Sequence, residues 1–219
     1  MSRAALDASL IRVLLQELAD RLESKGIAGD IRLVGGAALI LQGISVRMTT
    51  DIDASYAEAE AVDLVVSEMA RDYGLEKDWL NSHSSAFVPD GATWVALEPL
   101  GALKVHAADT RTLLAMKIAA EREKDIPDIA RLLANLGISS PEEAVDLAYE
   151  KYGEHAIPLA AGRDNYLIVV EEAMAATPLL PGADASPPAV WVAPHTRHGR
   201  LVRGHYRRRP DGDVPVGEL

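Results

Sequence analysis

IRLVGGAALILQGISVRMTTDIDASY, residues 31–56, changes character every few positions. Ile31 to Val34 reads as a short apolar strand, Gly35-Gly36 as a sharp turn, and Ala37 to Gln42 as a brief helix. A loop carrying Arg47, Thr49 and Thr50 follows, then a second strand bearing Asp51 and Asp53. Without a Cβ, Gly35 and Gly36 let the backbone turn tightly and approach a ligand, and the N–H groups opening the helix point toward an anion. That half of the stretch suits a phosphate. On a strand, residues two apart project from one face, so Asp51 and Asp53 put two carboxylates on the same side. Such a pair is a fitting ligand set for Mg²⁺, a hard cation that commonly joins one or two carboxylates to substrate phosphates.

The chain around this stretch has 219 residues, 48% of them hydrophobic, enough to bury a real core. No run of about 18 uncharged apolar residues occurs, and charges interrupt the first twenty positions, so neither a membrane span nor a signal peptide is expected. The absence of cysteine excludes disulfides and thiolate metal sites and fits a cytoplasmic protein. The net charge of −11 is unevenly spread: from Val190 onward six Arg face Asp211, Asp213 and Glu218, leaving 16 basic against 30 acidic residues before it. So acidic a body repels bulk nucleic acid, and neither general coating nor sequence-specific binding of DNA is expected. A nucleotide bound with Mg²⁺, or an RNA held through one local patch, stays compatible with it.

Outward from the opening stretch, residues 4–24 place Leu10, Ile11, Val13, Leu14, Leu15 and Leu18 near a 3.6-residue period and predict an amphipathic helix. A second helix is expected over 58–73, stopped by Gly74. Trp79 and Phe87 are expected to pack into the core, the usual use of large aromatics. Residues 93–98 and 102–107 are β-rich and separated by Pro99 and Gly101, which makes a four-stranded mixed sheet. Asp109 or Thr110 can cap a helix containing Leu113, Leu114, Met116 and Ile118, and Pro127 marks the start of the next from Ile126. Helices over 141–152 and 163–176 complete a helical C-terminal half. From Leu179 the chain becomes rich in Pro, Ala and Gly and then in Arg, with Leu201-Val202 as its one expected strand. The expected division is a core over 1–108, a helical part over 109–177 packed on it, and an unstructured linker and basic tail over 178–219, the tail suited to touching RNA phosphates.

The ordered set Gly35-Gly36, Arg47, Thr50 and Asp51-Ile52-Asp53 resembles the nucleotidyltransferase fold of the DNA polymerase β superfamily, in particular its small bacterial branch of AbiEii-type, toxin-like transferases. A Trp79-Leu80-Asn81 passage ending at Phe87-Val88-Pro89 is similar to one in those proteins. So is Lys117, Arg122, Asp125 and Asp128, spaced as K-x4-R-x2-D-x2-D. The resemblance implies an α+β (α/β) fold with a small mixed sheet, flanking helices and a helical half that closes one side of a nucleotide cleft.

It also implies an activity: transfer of a nucleoside monophosphate from an NTP to a hydroxyl of RNA, tRNA among them, or of protein, in a toxin–antitoxin or phage-defence setting. Asp51 and Asp53 would hold Mg²⁺, in a one- or two-metal arrangement. Gly35, Gly36, Arg47, Thr50, Lys117 and Asp125 would hold the nucleotide. The family places a third carboxylate on a neighbouring strand. Here Glu98 is the only acid on either later strand; it is read as a third metal ligand or as a solvated strand-end charge. Two readings of Lys117 also stand. It faces an anion from within an apolar run, with Asp125 holding it, or it reaches to water while Arg122, Lys124, Asp125 and Asp128 pair at the surface. A shortage of acids leaves a further alternative, a catalytically degenerate module that binds a nucleotide or a cognate protein partner.

Overall fold

Asp7 sets where the first helix begins. Its Oδ1 accepts the Leu10 N–H at 2.8 Å, so α1 runs over Ala8–Ser24 rather than from residue 4. The structure, a computed structural model, describes residues 5–176 and, as backbone, the segments Ala189–Val192, His195–Arg197, Arg200–Val202 and His205–Arg208. Leu10, Ile11, Leu14, Leu15, Leu18 and Leu22 form the buried stripe of α1, while Val13 lies on its outer side, half exposed.

The next elements are β1 (Gly29–Leu33), α2 (Gly35–Leu41), β2 (Ile52–Tyr56), α3 (Ala59–Tyr73) and β3 (Leu80–Asn81). They are followed by β4 (Trp94–Ala96) and β5 (Leu103–Ala108). Strand order across the sheet is β3-β2-β1-β5-β4. β1 runs antiparallel to β2, Leu33 facing Ala54, and parallel to β5, Leu33 facing Ala107. In β1 and β5 alternate residues are buried (Ile31, Leu33; Leu103, Val105, Ala107), the period of a sheet with one face on the core. The α1 and α3 helices pack on each other and bury Leu18, Val62, Val65, Val66 and Met69 in that core.

The sheet has five strands where the sequence predicts four. The extra one is the two-residue β3, which lies parallel to β2 with Asp53 opposite Asn81. Two residues are too few to leave a period-two pattern, and the pairing is made by non-local contact: the Ile52 N–H donates to the Trp79 carbonyl at 2.7 Å. Trp79 is buried as expected, its Nε1 donating to the Val66 carbonyl at 3.2 Å. Phe87 departs from expectation. It sits on a single 3₁₀ turn, Ser85–Phe87, with 57% of its surface exposed.

The helical half contains α4 (Thr110–Ala120), α5 (Ile126–Leu136), α6 (Pro141–Tyr152) and α7 (Arg163–Ala175). Asp109 is the cap of α4, its Oδ1 accepting the Thr112 N–H at 2.8 Å. α4 packs on α5 and α6, α7 closes over α5 and α6, and α2 meets α4. Lys151 fixes α6 to the loop leading into β4: its ammonium donates to the Gly91 carbonyl at 3.0 Å and to Thr93 Oγ1 at 2.9 Å. Among the described residues no helix is long and apolar enough to cross a membrane.

In the region expected to be linker and unstructured tail, the described segments are strands: β6 (Ala189–Val192) pairs antiparallel with β9 (His205–Arg208), and β7 (His195–Arg197) with β8 (Arg200–Val202). The expected strand at Leu201-Val202 is part of β8. The linker over 179–188 and the last residues, 209–219, lie outside the described residues.

Candidate active site

The Gly-Gly turn leaves β1 and lies directly against β2, where the Val34 N–H donates to the Asp53 carbonyl at 2.9 Å. Gly35 has a φ of +63°, and a Cβ built on it would come 3.1 Å from Asp53 Oδ2. A Cβ on Gly36 would come 3.0 Å from Thr49 Oγ1. The missing Cβ atoms therefore make room first for the acid-bearing strand and the loop before it. Gly35→Ala puts a side chain at positive φ and presses it on a carboxylate, so it should lower stability by about 1–2 kcal/mol. Urea unfolding with an unchanged m-value would register this as a lower midpoint.

Asp51 precedes β2 and Asp53 lies within it; both are half-buried and face the same cleft. Thr49 Oγ1 donates to the Asp51 carbonyl at 3.1 Å and reaches Asp51 Oδ1 at 3.4 Å. Burial pushes the Asp53 carboxyl above the usual carboxylate range, and the neighbouring Asp51 charge pushes it further. Hydrogen bonding to Ser84 and the charges of Arg122 and His83 pull it part of the way back. Among the described residues neither acid is in a salt bridge, and two neighbouring, partly desolvated carboxylates are a hard-oxygen donor set that a divalent cation would relieve. They fit Mg²⁺ on this ground, two carboxylates being a common protein share of its ligands. Among the described residues no group of three or more His, Asp or Glu side chains gathers as a metal site.

Lys117 approaches the same cleft from α4. It is 7% exposed, with Nζ 2.6 Å from Asp125 Oδ1 and 3.0 Å from Asp128 Oδ2. Arg131 Nη1 lies 3.1 Å from Asp128 Oδ1, which also accepts from Ser45 Oγ at 3.4 Å. The four charges cancel. The reading in which Lys117 reaches water and the acids pair at the surface is thus replaced by a buried cluster. An ammonium carries three N–H donors, and these contacts occupy two, leaving one free on a side chain that lines the cleft.

The cleft has a volume of about 360 Å³, within the range of small-molecule sites. Gly35, Gly36, Arg47, Asp51, Asp53, Lys117 and Asp125 all line it, so seven predicted residues converge from five separate segments. Arg47 is held in place by donating from Nη1 to the Lys124 carbonyl at 2.8 Å. Arg122 and Lys124 join it at the opening, three cations on a protein whose net charge is −11.

Two predicted residues are not brought to the site. Thr50 is exposed and turned away; Thr49 takes the inward place, because Thr49 is bridged to Leu6 through paired backbone bonds of 2.7 and 3.0 Å, which fixes which of the two faces the glycines. Glu98 is exposed, just beyond β4, on the opposite edge of the sheet. Three strand spacings separate β4 from β2, roughly 14 Å, too far for a shared ion. Glu98 is the solvated strand-end charge. Ser84, Phe87 and Arg122 line the cleft without having been singled out as site residues. Arg122 belongs to the spaced Lys117–Asp128 segment and was legible from it, whereas Phe87, at the end of the Trp79–Pro89 passage, was expected in the core, and Ser84 in the same passage had no role assigned.

The family described as "Nucleotidyltransferase of unknown function (DUF6036)" matches residues 9–137, more than half of the chain. No curated protein matches it. Among solved structures, an antigenic nucleotidyltransferase-like protein from Paracoccidioides brasiliensis is similar at 16% identity with a TM-score of 0.41, over 74% of this chain and 95% of that one. The family match runs from α1 through α5 and takes in both the Asp51-Asp53 strand and the Lys117–Asp128 cluster, so this chain belongs to that nucleotidyltransferase family.

Proposed function

We propose that the protein is a Mg²⁺-dependent nucleotidyltransferase that moves a nucleoside monophosphate from an NTP to a hydroxyl of RNA, tRNA included, or of protein. The observation that carries this is the convergence of Asp51 and Asp53 with a free donor of Lys117 and the cations Arg47 and Arg122 on one cleft. Asp51 and Asp53 would hold Mg²⁺, which when bound neutralises charge developing on the phosphates. Lys117, Arg47 and Arg122 hold and orient the triphosphate, while Gly35 and Gly36 keep the floor of the cleft low enough for it to settle beside the acids. Asp125 and Asp128 keep Lys117 pointed at the cleft. The spacing of Lys117, Arg122, Asp125 and Asp128 supports placement in the AbiEii-type branch and with it a toxin–antitoxin or phage-defence role.

A second reading rests on the displaced Glu98. Asp125 and Asp128 are paired with Lys117 and Arg131, which leaves two cleft carboxylates, Asp51 and Asp53, for a metal and none from a later strand, so the site suits one metal better than two, and a module that binds Mg·NTP without turning it over follows from that.

Incubating the protein with each α-³²P-labelled NTP, Mg²⁺, and total tRNA or cell lysate separates them. Label on a macromolecule that disappears with the Asp51→Asn/Asp53→Asn variant supports transfer. No label, with Mg·NTP binding still seen by calorimetry, supports the binding module.

A further inference from the structure

The lining of the cleft is not all polar. Beside the charged residues, Phe87, Met116, Tyr152 and Pro158 contribute apolar and ring surface to it. Phe87 is the sole phenylalanine of the chain and is 57% exposed. An aromatic of that size left in water at a cleft mouth forgoes the burial that Trp79 obtains a few residues earlier. Its position is nevertheless fixed. The Phe87 N–H donates to the Ser84 carbonyl at 3.1 Å, and its own carbonyl accepts the Tyr152 hydroxyl at 2.6 Å, which ties the 3₁₀ turn to α6. Burial pushes the Tyr152 phenol far up, so it stays neutral and remains a donor. Ser84, at the start of the same turn, hydrogen-bonds with Asp53. One rigid turn therefore carries both a contact to the acid pair and a bare aromatic ring. Pro158 closes the wall from a 3₁₀ turn packed on α4 and α6.

We propose that the Phe87 ring is the platform on which the nucleobase of the bound nucleotide stacks, with Tyr152 and Pro158 completing an apolar base subsite in the cleft that Asp51 and Asp53 also line. The proposal rests on the nucleotide reading above and adds where the base lies. A nucleotide is charged at one end and flat and apolar-faced at the other, and the cleft lining holds both cations and apolar ring surface. Because the wall offers ring and aliphatic surface rather than a set of polar groups aimed at base edges, the subsite favours stacking over base identity, and the four NTPs should bind within about tenfold of each other.

Phe87→Ala removes the ring and keeps the backbone tie to Tyr152, and an exposed side chain is replaced, so the fold should hold. Calorimetry in Mg²⁺ then compares ATP, GTP, CTP and UTP with inorganic tripolyphosphate, which has no base. Wild type should bind each NTP more tightly than tripolyphosphate. Phe87→Ala should weaken NTP binding about tenfold or more, leave tripolyphosphate unchanged, and be rescued by Phe87→Trp. Equal NTP affinity in Phe87→Ala and wild type would overturn the stacking platform while leaving the nucleotide reading intact. Wild type that binds neither NTP nor tripolyphosphate would overturn both.

Discussion

Replacing Lys117 with Met is expected to lower the melting temperature by about 6–12 °C, the largest stability loss of any single change in the cleft. Lys117, Asp125, Asp128 and Arg131 are joined at 2.6, 3.0 and 3.1 Å, and their side chains are about nine-tenths buried. Assembling such a group from water gains little, because desolvation offsets most of the attraction. Breaking it is different. Without the ammonium, two buried carboxylates share one guanidinium, and the uncompensated charge costs about 3 kcal/mol or more. In a chain of this size each kcal/mol moves the midpoint by about 2–4 °C. The double variant Lys117→Met/Asp125→Asn restores neutrality and should recover a good part of the loss, so a double-mutant cycle would show coupling well above 0.5 kcal/mol. A Lys117→Met variant that melts within 2 °C of wild type would mean that the cluster is solvated and contributes nothing.

The sequence carried this cluster only halfway. A lysine within an apolar helical run signals a facing anion, and that much was legible at Lys117. Asp125 as its partner came from the resemblance, but the share of Asp128 and Arg131 did not, because periodicity reports burial and leaves partners open: Asp125 and Asp128 lie on the next turn and helix and swing under α4 only when α5 packs there. The helices from α1 to α7 could be read from apolar spacing, capping residues and Gly stops, and the central strands from their apolar runs. Elements defined by their neighbours could not. β3 exists because Trp79 and Asn81 meet β2, and Thr49 rather than Thr50 faces the glycines because Leu6 pairs with it. Glu98 was placed by sequence nearness to a strand, while the sheet order β3-β2-β1-β5-β4 sets it at the far edge. Phe87 inverts the usual rule, an aromatic left outside, and a rule of averages cannot anticipate the residue that breaks it.

Asp53→Asn should slow nucleotidyl transfer about a thousandfold and, in metal-free buffer, make the protein more stable. The first part rests on the proposed reaction, in which Asp53 is one of two carboxylates that would hold Mg²⁺, an interaction of several kcal/mol at the transition state. The second follows from the direction of the Asp53 shift. Burial and the Asp51 charge raise its carboxyl above the ordinary value of 3.8, so the folded protein binds this proton more tightly than the unfolded chain does. The stability it contributes is complete below 3.8 and is lost as pH rises through the raised value. At neutral pH the ionised side chain is therefore a cost that the amide removes, while the amide can still hydrogen-bond with Ser84. Melting curves in EDTA should show Asp53→Asn above wild type at pH 7, with the gap closing as pH falls toward 3.8. Adding Mg²⁺ with an NTP should reverse the order, because a ligand that binds only the folded wild type raises its stability by mass action and finds half its carboxylates missing in the variant. An Asp53→Asn protein less stable than wild type in EDTA at pH 7 would show that the carboxylate is held by its hydrogen bonds and by Arg122 rather than opposed by Asp51. Function and stability pull apart at this residue because the charge that costs stability in metal-free buffer is the one a divalent cation would use.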